Sequence, residues 1–189
     1  MDVFEAIRER RSVRKYKPTP VSEEQLNAVL EAARWAPSWA NTQCWNFVLV
    51  RDAETKERLA ETLNPANRGI PAMKSAPIVI VACAEKGRSG YSKGSVATDK
   101  GDWFMFDVAL AMQNVTLAAH ALGLGTLHVG LFDAPKVAKI IDVPTGVEVV
   151  EMMPLGYPDE SHAAPWRKKL AEFVFFEKYG NREGGFSVV

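Results

Sequence analysis

Apolar positions along the first part of the chain recur at the helical spacing of three and four. Val3, Phe4 and Ile7 share one face behind Asp2-Val-Phe-Glu5, a capping box that opens a short helix. That helix ends in a basic run over residues 8–17. A second capping box, Ser22-Glu-Glu-Gln25, opens a helix of about four turns in which Leu26, Val29, Leu30 and Ala33 repeat until Pro37 breaks the pattern. The periodicity then changes. Residues 45–50 and 76–82 are short apolar runs rich in β-branched side chains, which predicts strands buried on both faces, with a helix over 53–63 between them. Residues 102–122 carry the longest helical pattern. Val108, Ala111, Met112, Val115, Ala118 and Leu122 fall on one face and further alanine and leucine surround the rest, as expected of a central helix. Its polar stripe, Gln113, Thr116 and His120, would face a subunit contact or a polar pocket, and a subunit contact is the expectation. Gly123 and Gly125 end this helix, residues 133–141 suggest a short helix, and 147–155 read as another strand.

The order is helix, helix, strand, helix, strand, long helix, strand, short helix, strand. Strands and helices do not alternate regularly enough for a doubly wound sheet, so the class is α+β. With 189 residues, 47% of them hydrophobic, the chain can bury one sizeable core, and a single domain is expected. Lys plus Arg and Asp plus Glu both count 23, so global charge points to neither nucleic acid nor an anionic membrane as partner. Any anion site must be local. No apolar run approaches the roughly 18 residues that span a bilayer, which makes a cytoplasmic location the expectation. Cys44 and Cys83 are too far apart for a metal knuckle and too few for a disulfide framework, and His120, His128 and His162 form no ligand spacing. No metal site is expected, and no Ser-His-Asp or Cys-His arrangement of catalytic side chains is visible.

Three segments carry candidate chemistry. Arg10-Arg-Ser-Val-Arg14 places three guanidinium groups and a hydroxyl within five residues, just beyond a helix C-terminus. Such arginines can simply complement the helix dipole, or they can clamp a phosphate, whose oxygens suit planar bidentate donors. The segment alone leaves both open. Ala36-Pro-Ser-Trp-Ala-Asn-Thr-Gln-Cys-Trp45 ends a helix with small polar groups able to meet a heterocycle, or is merely a loop. Ala119-His-Ala-Leu-Gly-Leu-Gly-Thr-Leu-His-Val-Gly130 holds glycines that would let backbone approach a flat ring. Its glycines follow a helix and precede a strand, the reverse of a dinucleotide-binding fingerprint.

Taken together, Arg-Arg-Ser-x-Arg after an opening helix, Ala-Pro-Ser-x-x-Asn-x-Gln-x-Trp, an Asp-containing long helix ending Ala-Leu-Gly-Leu-Gly-Thr-x-x-x-Gly, Leu155-Gly-Tyr-Pro158 and Arg167 resemble the nitroreductase family of FMN-dependent oxidoreductases in its small-subunit form. The resemblance runs over about residues 2–170. It implies a nitroreductase-like fold, a central mostly antiparallel sheet flanked by helices, in an intertwined homodimer. It implies an FMN phosphate site at Arg10, Arg11, Ser12, Arg14 and Arg167, a loop of Ser38, Trp39, Asn41 and Gln43 reaching the flavin of the other subunit, and His128, Val129 and Gly130 beside the isoalloxazine. Cys44 stands where the family often has proline, and His128 where it often has tryptophan. The first departure is expected to alter only loop rigidity; the second changes the ring's neighbour. The implied activity passes hydride from NADH or NADPH through flavin N5 to a small acceptor, such as a nitroaromatic or quinone, by a ping-pong mechanism, with no catalytic side chain. Other members act as dehalogenases, desaturases or flavin-fragmenting enzymes, and a flavin-storage protein or a non-flavin anion-binding module are the readings from other classes. Residues 1–170 are expected to form the FMN-binding domain. Residues 171–189, with Phe173, Phe175, Phe176 and Tyr179, are too aromatic for a solvated end and are expected to be an arm packed on the partner subunit.

Overall fold

The computed structural model describes residues 1–182. Both predicted capping boxes form. In α1 (Val3–Glu9) the Glu5 N–H donates to Asp2 Oδ1 at 2.8 Å and the Asp2 N–H returns a bond to Glu5. In α2 (Glu23–Arg34) the Gln25 N–H donates to Ser22 Oγ at 3.1 Å, and the helix stops at Arg34, three residues short of Pro37. The chain then makes one 3-10 turn, Trp39–Asn41, before β1 (Trp45–Val50). There follow α3 (Ala53–Ala60), α4 (Ile70–Ser75), β2 (Ile78–Glu85), a small hairpin of β3 (Tyr91–Ser92) and β4 (Ser95–Val96), and the long α5 (Phe104–Ala121). The remaining elements are β5 (Gly125–Thr126), α6 (Ala134–Ile140), β6 (Val147–Gly156) and α7 (Leu170–Phe173).

The main sheet has the order β1-β2-β6-β5, with every named pairing antiparallel. Alternation along β2 explains the layers. Ile78, Ile80, Ala82 and Ala84 point into a core shared with Leu26, Val29 and Ala33 of α2 and Val108, Ala111, Met112, Val115 and Ala119 of α5. Val79, Val81 and Cys83 point the other way, toward Leu59 and Ala60 of α3, Ala72 and Met73 of α4 and Val137 of α6. Helices thus flank both faces of a mostly antiparallel sheet, in agreement with the expected α+β class. β2 is buried on both faces, as its apolar run predicts, and extends to Glu85. β1 is not: only Val50 of its six residues is buried, because β1 is the outer strand of the sheet.

The segment that follows α1 is held as an extra edge of the sheet. Ser12 bridges Thr126, the Val13 N–H donates to Thr126 O at 2.9 Å, and the Lys17 N–H to Tyr157 O at 2.9 Å. Tyr16, buried, donates its hydroxyl to Val13 O at 2.9 Å, with Pro154 O at 3.2 Å. Close docking here depends on two glycines. A Cβ at Gly125 would lie 2.6 Å from Val13 Cγ2, and one at Gly156 would lie 2.5 Å from Pro77 Cδ. No described helix is long and apolar enough to cross a membrane.

Candidate active site

The extended backbone of residues 10–14 buries Val13 in the core and leaves Arg10, Arg11, Ser12 and Arg14 along a cleft. That cleft, of about 270 Å³, is completed by His162, Ala163, Pro165 and Arg167. Arg10, Arg11 and His162 are shared with an adjoining cleft of about 200 Å³, where Thr126, Glu160, Ser161 and His120 also lie. Arg10, Arg11, Arg14 and Arg167 therefore line one cleft, with Arg11 Nη1 donating back to the Arg8 and Arg10 carbonyls at 2.6 and 2.7 Å, and among the described residues none of the four forms an ion pair with a carboxylate. Burial, and then the charges of Arg11 and Arg167, hold Arg10 below the ordinary guanidinium range. Nε of Arg11 and Nε2 of His120 are buried without a hydrogen-bond partner. A cleft lined by guanidinium groups that no carboxylate pairs suits a multivalent oxyanion such as a phosphate monoester, whose oxygens match planar bidentate donors. Glu160 shapes the rim: it accepts the Arg14 N–H at 2.5 Å and contacts His162 Nε2 at 3.0 Å.

From Thr126 the chain continues along the sheet to His128, Val129 and Gly130, about 7 Å per two extended residues. Val129 pairs with Met152, leaving His128 and Gly130 exposed. The His128 ring is fixed at both nitrogens, Nδ1 on Glu151 Oε2 at 2.7 Å and Nε2 on Thr116 Oγ1 at 3.0 Å. No atom lies within 4 Å of where a Gly130 Cβ would start, so a planar group can approach that backbone. The polar stripe of α5 does not act as one face. Thr116 is buried within the chain under His128, His120 lines the arginine cleft, and Gln113 is exposed. Thr116 departs from the expected subunit contact, because the chain beyond β5 covers it and His128 takes its hydroxyl at 3.0 Å.

Ser38, Trp39, Asn41 and Gln43 line neither arginine cleft. They sit at the opposite end of α5, in a loop whose Ala40, Asn41 and Gln43 have φ of 46°, 55° and 48°. Left-handed backbone at non-glycine residues costs on the order of 1–3 kcal/mol each and persists only where the surroundings enforce it. Asp107, in the first turn of α5 and fully buried, supplies that constraint. Oδ1 accepts the Trp39 N–H at 2.9 Å; Oδ2 accepts the hydroxyls of Ser89 at 2.6 Å and Thr42 at 3.2 Å and lies 3.6 Å from Cys44 Sγ. Ser38 Oγ accepts the Gln43 N–H at 3.0 Å, and the Gln43 amide donates to Asn41 at 3.2 Å. Cys44 thus does more than set loop rigidity: its thiol belongs to the Asp107 cluster. Burial and the Asp107 charge push that thiol up to about 12. Asp107 and Ser89 escape sequence reasoning because their partners are 18 to 68 residues away.

The fold and the clefts define a layered α+β protein with an arginine-lined cleft on a sheet edge. The chain belongs to the nitroreductase family, whose model matches residues 7–75 and 64–157. It is 34% identical over 165 residues to a protein of Methanothermobacter thermautotrophicus provisionally named NADH dehydrogenase/NAD(P)H nitroreductase, covering 85% of this chain and 80% of the relative. It is 27% identical to the FMN reductase [NAD(P)H] of Bacillus subtilis, over 96% of this chain and 76% of that one. Among solved structures, an FMN-dependent nitroreductase from Clostridium difficile R20291 superposes with a TM-score of 0.78 at 27% identity, covering 93% of this chain and 99% of that chain.

Proposed function

We infer that this protein passes hydride from NADH or NADPH to a small electron acceptor, a nitroaromatic, a quinone or similar, at a flavin site shared between two copies of the chain. Its class follows from the family and the relatives: it is an FMN-dependent oxidoreductase. Bound FMN would supply the redox chemistry, hydride exchange with a nicotinamide and then with an acceptor that takes its place, which is a ping-pong arrangement. The observation that carries the reading is the cleft lined by Arg10, Arg11, Arg14 and Arg167, which have no carboxylate partner among the described residues. In this reading their guanidinium groups and Ser12 hold the phosphate. The open backbone at Gly130 admits the flat ring, the Val129–Gly130 segment offers it a peptide N–H, and His128, locked by Glu151 and Thr116, borders it.

The position of the second polar group argues for two chains. From Asp107 to His120, α5 rises about 20 Å, and its body lies between the arginine cleft and the loop of Ser38, Trp39, Asn41 and Gln43. A partner related by a two-fold axis would bring its loop to this chain's cleft and accept the reciprocal contact. Apolar surface is available for that contact: Phe4 on α1 is 70% exposed, Leu131 71% and Trp166 74%, with Met105 and Phe106 also exposed on α5. Burying such side chains contributes about 1.5–3 kcal/mol each. The arm of residues 171–189 adds Phe173 and Tyr179, also exposed; its residues 183–189 lie outside the described part of the chain. Light scattering with an absorbance channel tests the arrangement. The expected result is a dimer carrying two FMN, and a fully flavinated monomer would overturn the shared site.

A further inference from the structure

We propose that Asp107 is a positioning residue for the flavin site of the partner chain, acting by holding the loop of residues 38–43 in its left-handed shape. The proposal rests on the shared-site reading above. Asp107 is a fully buried carboxylate whose bonded partners are all neutral: the Trp39 N–H, the Ser89 and Thr42 hydroxyls and the Cys44 thiol. A buried charge without a counter-ion is costly, and the donors and the positive end of α5 are what compensate it. Those donors come from two separate stretches, the loop that leads into β1 and the turn after β2, so the carboxylate ties both to the first turn of α5. Three of its four donors belong to residues 39–44, and between them lie the positive-φ residues Ala40, Asn41 and Gln43. None of these has glycine's freedom, so the loop keeps this shape only while its anchor holds.

Asp107→Asn keeps the size of the side chain but removes its charge and turns one oxygen into an NH2 group, which either opposes the Trp39 N–H or takes the place of the oxygen that accepts from Ser89 and Thr42. The loop should relax, and the affinity for FMN should fall by about tenfold, the size of one lost charge-assisted hydrogen bond. Ser89→Ala removes the shortest of the four bonds without touching the loop, and FMN affinity should fall by about two- to fivefold. Both are read by quenching of FMN fluorescence on titration into apoprotein, with dimerisation followed by light scattering.

Mixed dimers separate positioning from mere folding. An Asp107→Asn chain with an intact arginine cleft is co-expressed with a chain carrying Arg14→Ala and Arg167→Ala but an intact loop, each with its own affinity tag. In the purified heterodimer one site pairs both sound halves and the other pairs both defective ones. One FMN per heterodimer bound with wild-type affinity supports the proposal, since the damage of Asp107→Asn then lies wholly in what that chain gives its partner. Two weakened sites mean that the change damages its own chain's cleft, and overturn the proposal. Wild-type affinity in both the Asp107→Asn and Ser89→Ala homodimers overturns it as well. If Asp107→Asn does not fold, Ser89→Ala in the same mixed-dimer scheme decides. Wild-type affinity in the Arg14→Ala, Arg167→Ala homodimer would instead reject the phosphate clamp, while the homodimer affinities still judge Asp107.

Discussion

Replacing Gly125 by alanine should damage flavin binding without touching any flavin-binding side chain. The new methyl group would lie 2.6 Å from Val13 Cγ2 and 2.9 Å from Val13 Cβ. Val13 is β-branched and buried, and its Cβ is fixed to the backbone, so no rotamer change relieves the second contact. The two backbones must part by roughly 0.8 Å to reach ordinary van der Waals contact, which stretches the 2.9 Å bond from the Val13 N–H to Thr126 O. Overpacking costs about 1–3 kcal/mol and a lost hydrogen bond about 1 more. A destabilisation of about 2–4 kcal/mol lowers Tm by about 5–15 °C in a chain of this length. The same displacement carries Ser12 and Arg14 away from Arg167, and losing one charged contact to phosphate weakens FMN about ten- to hundredfold. Thermal unfolding of apoprotein by circular dichroism and an FMN fluorescence titration measure the two effects. Gly125→Ala with wild-type Tm and wild-type affinity would refute the claim that close docking of residues 12–14 on β5 builds the clamp.

Arg14→Ala or Arg167→Ala alone should weaken FMN by about 1.5–3 kcal/mol with little change in Tm, and unchanged affinity in both would reject their assignment. Cys44 and Cys83, pushed up to about 12 and about 11 chiefly by burial, should be silent toward a disulfide reagent at pH 8 in folded protein, and both should react after unfolding. Because the folded thiols hold their protons above the unfolded value near 9, their contribution to stability is complete below pH 9 and is lost as pH rises through about 11 for Cys83 and about 12 for Cys44; urea unfolding from pH 9 upward should show declining stability, and a flat profile would contradict the burial argument. A chain cut after Leu170 should lose dimer stability and flavin together, whereas a truncated dimer that keeps its flavin would remove the role given to the arm.

What the sequence made legible was local. Asp2 with Glu5 and Ser22 with Gln25 announce two helix starts because each cap closes within four residues. The Arg10–Arg14 run and Gly125 are visible as residues, but nothing local says that Val13 fills the space left by Gly125. α4 escaped because six residues opening on Gly69 and Pro71 are too few to show a period. The β3–β4 hairpin has strands of two residues each, too short to show alternation, and only Lys93-Gly94, both at positive φ, carries a turn signal of the two-residue kind. Along the sequence Asp107 is only one polar residue of a long helix. Its role depends on Trp39, Thr42, Cys44 and Ser89 arriving from elsewhere in the chain, which is a property of the tertiary fold. The α5 stripe shows the same limit of local pattern: equal spacing of Gln113, Thr116 and His120 along the helix does not reveal that Thr116 is covered by the chain beyond β5 while Gln113 stays exposed.

The central claim is that this chain holds FMN in the arginine cleft and reduces it with a nicotinamide. An anaerobic visible spectrum of the purified, FMN-loaded protein, recorded before and after adding NADH or NADPH, tests it most directly. The account predicts a yellow protein with one flavin per chain that bleaches with at least one of the two nucleotides and regains its colour when a quinone is admitted. A colourless protein that takes up no FMN, or a yellow one that neither nucleotide bleaches, would contradict it.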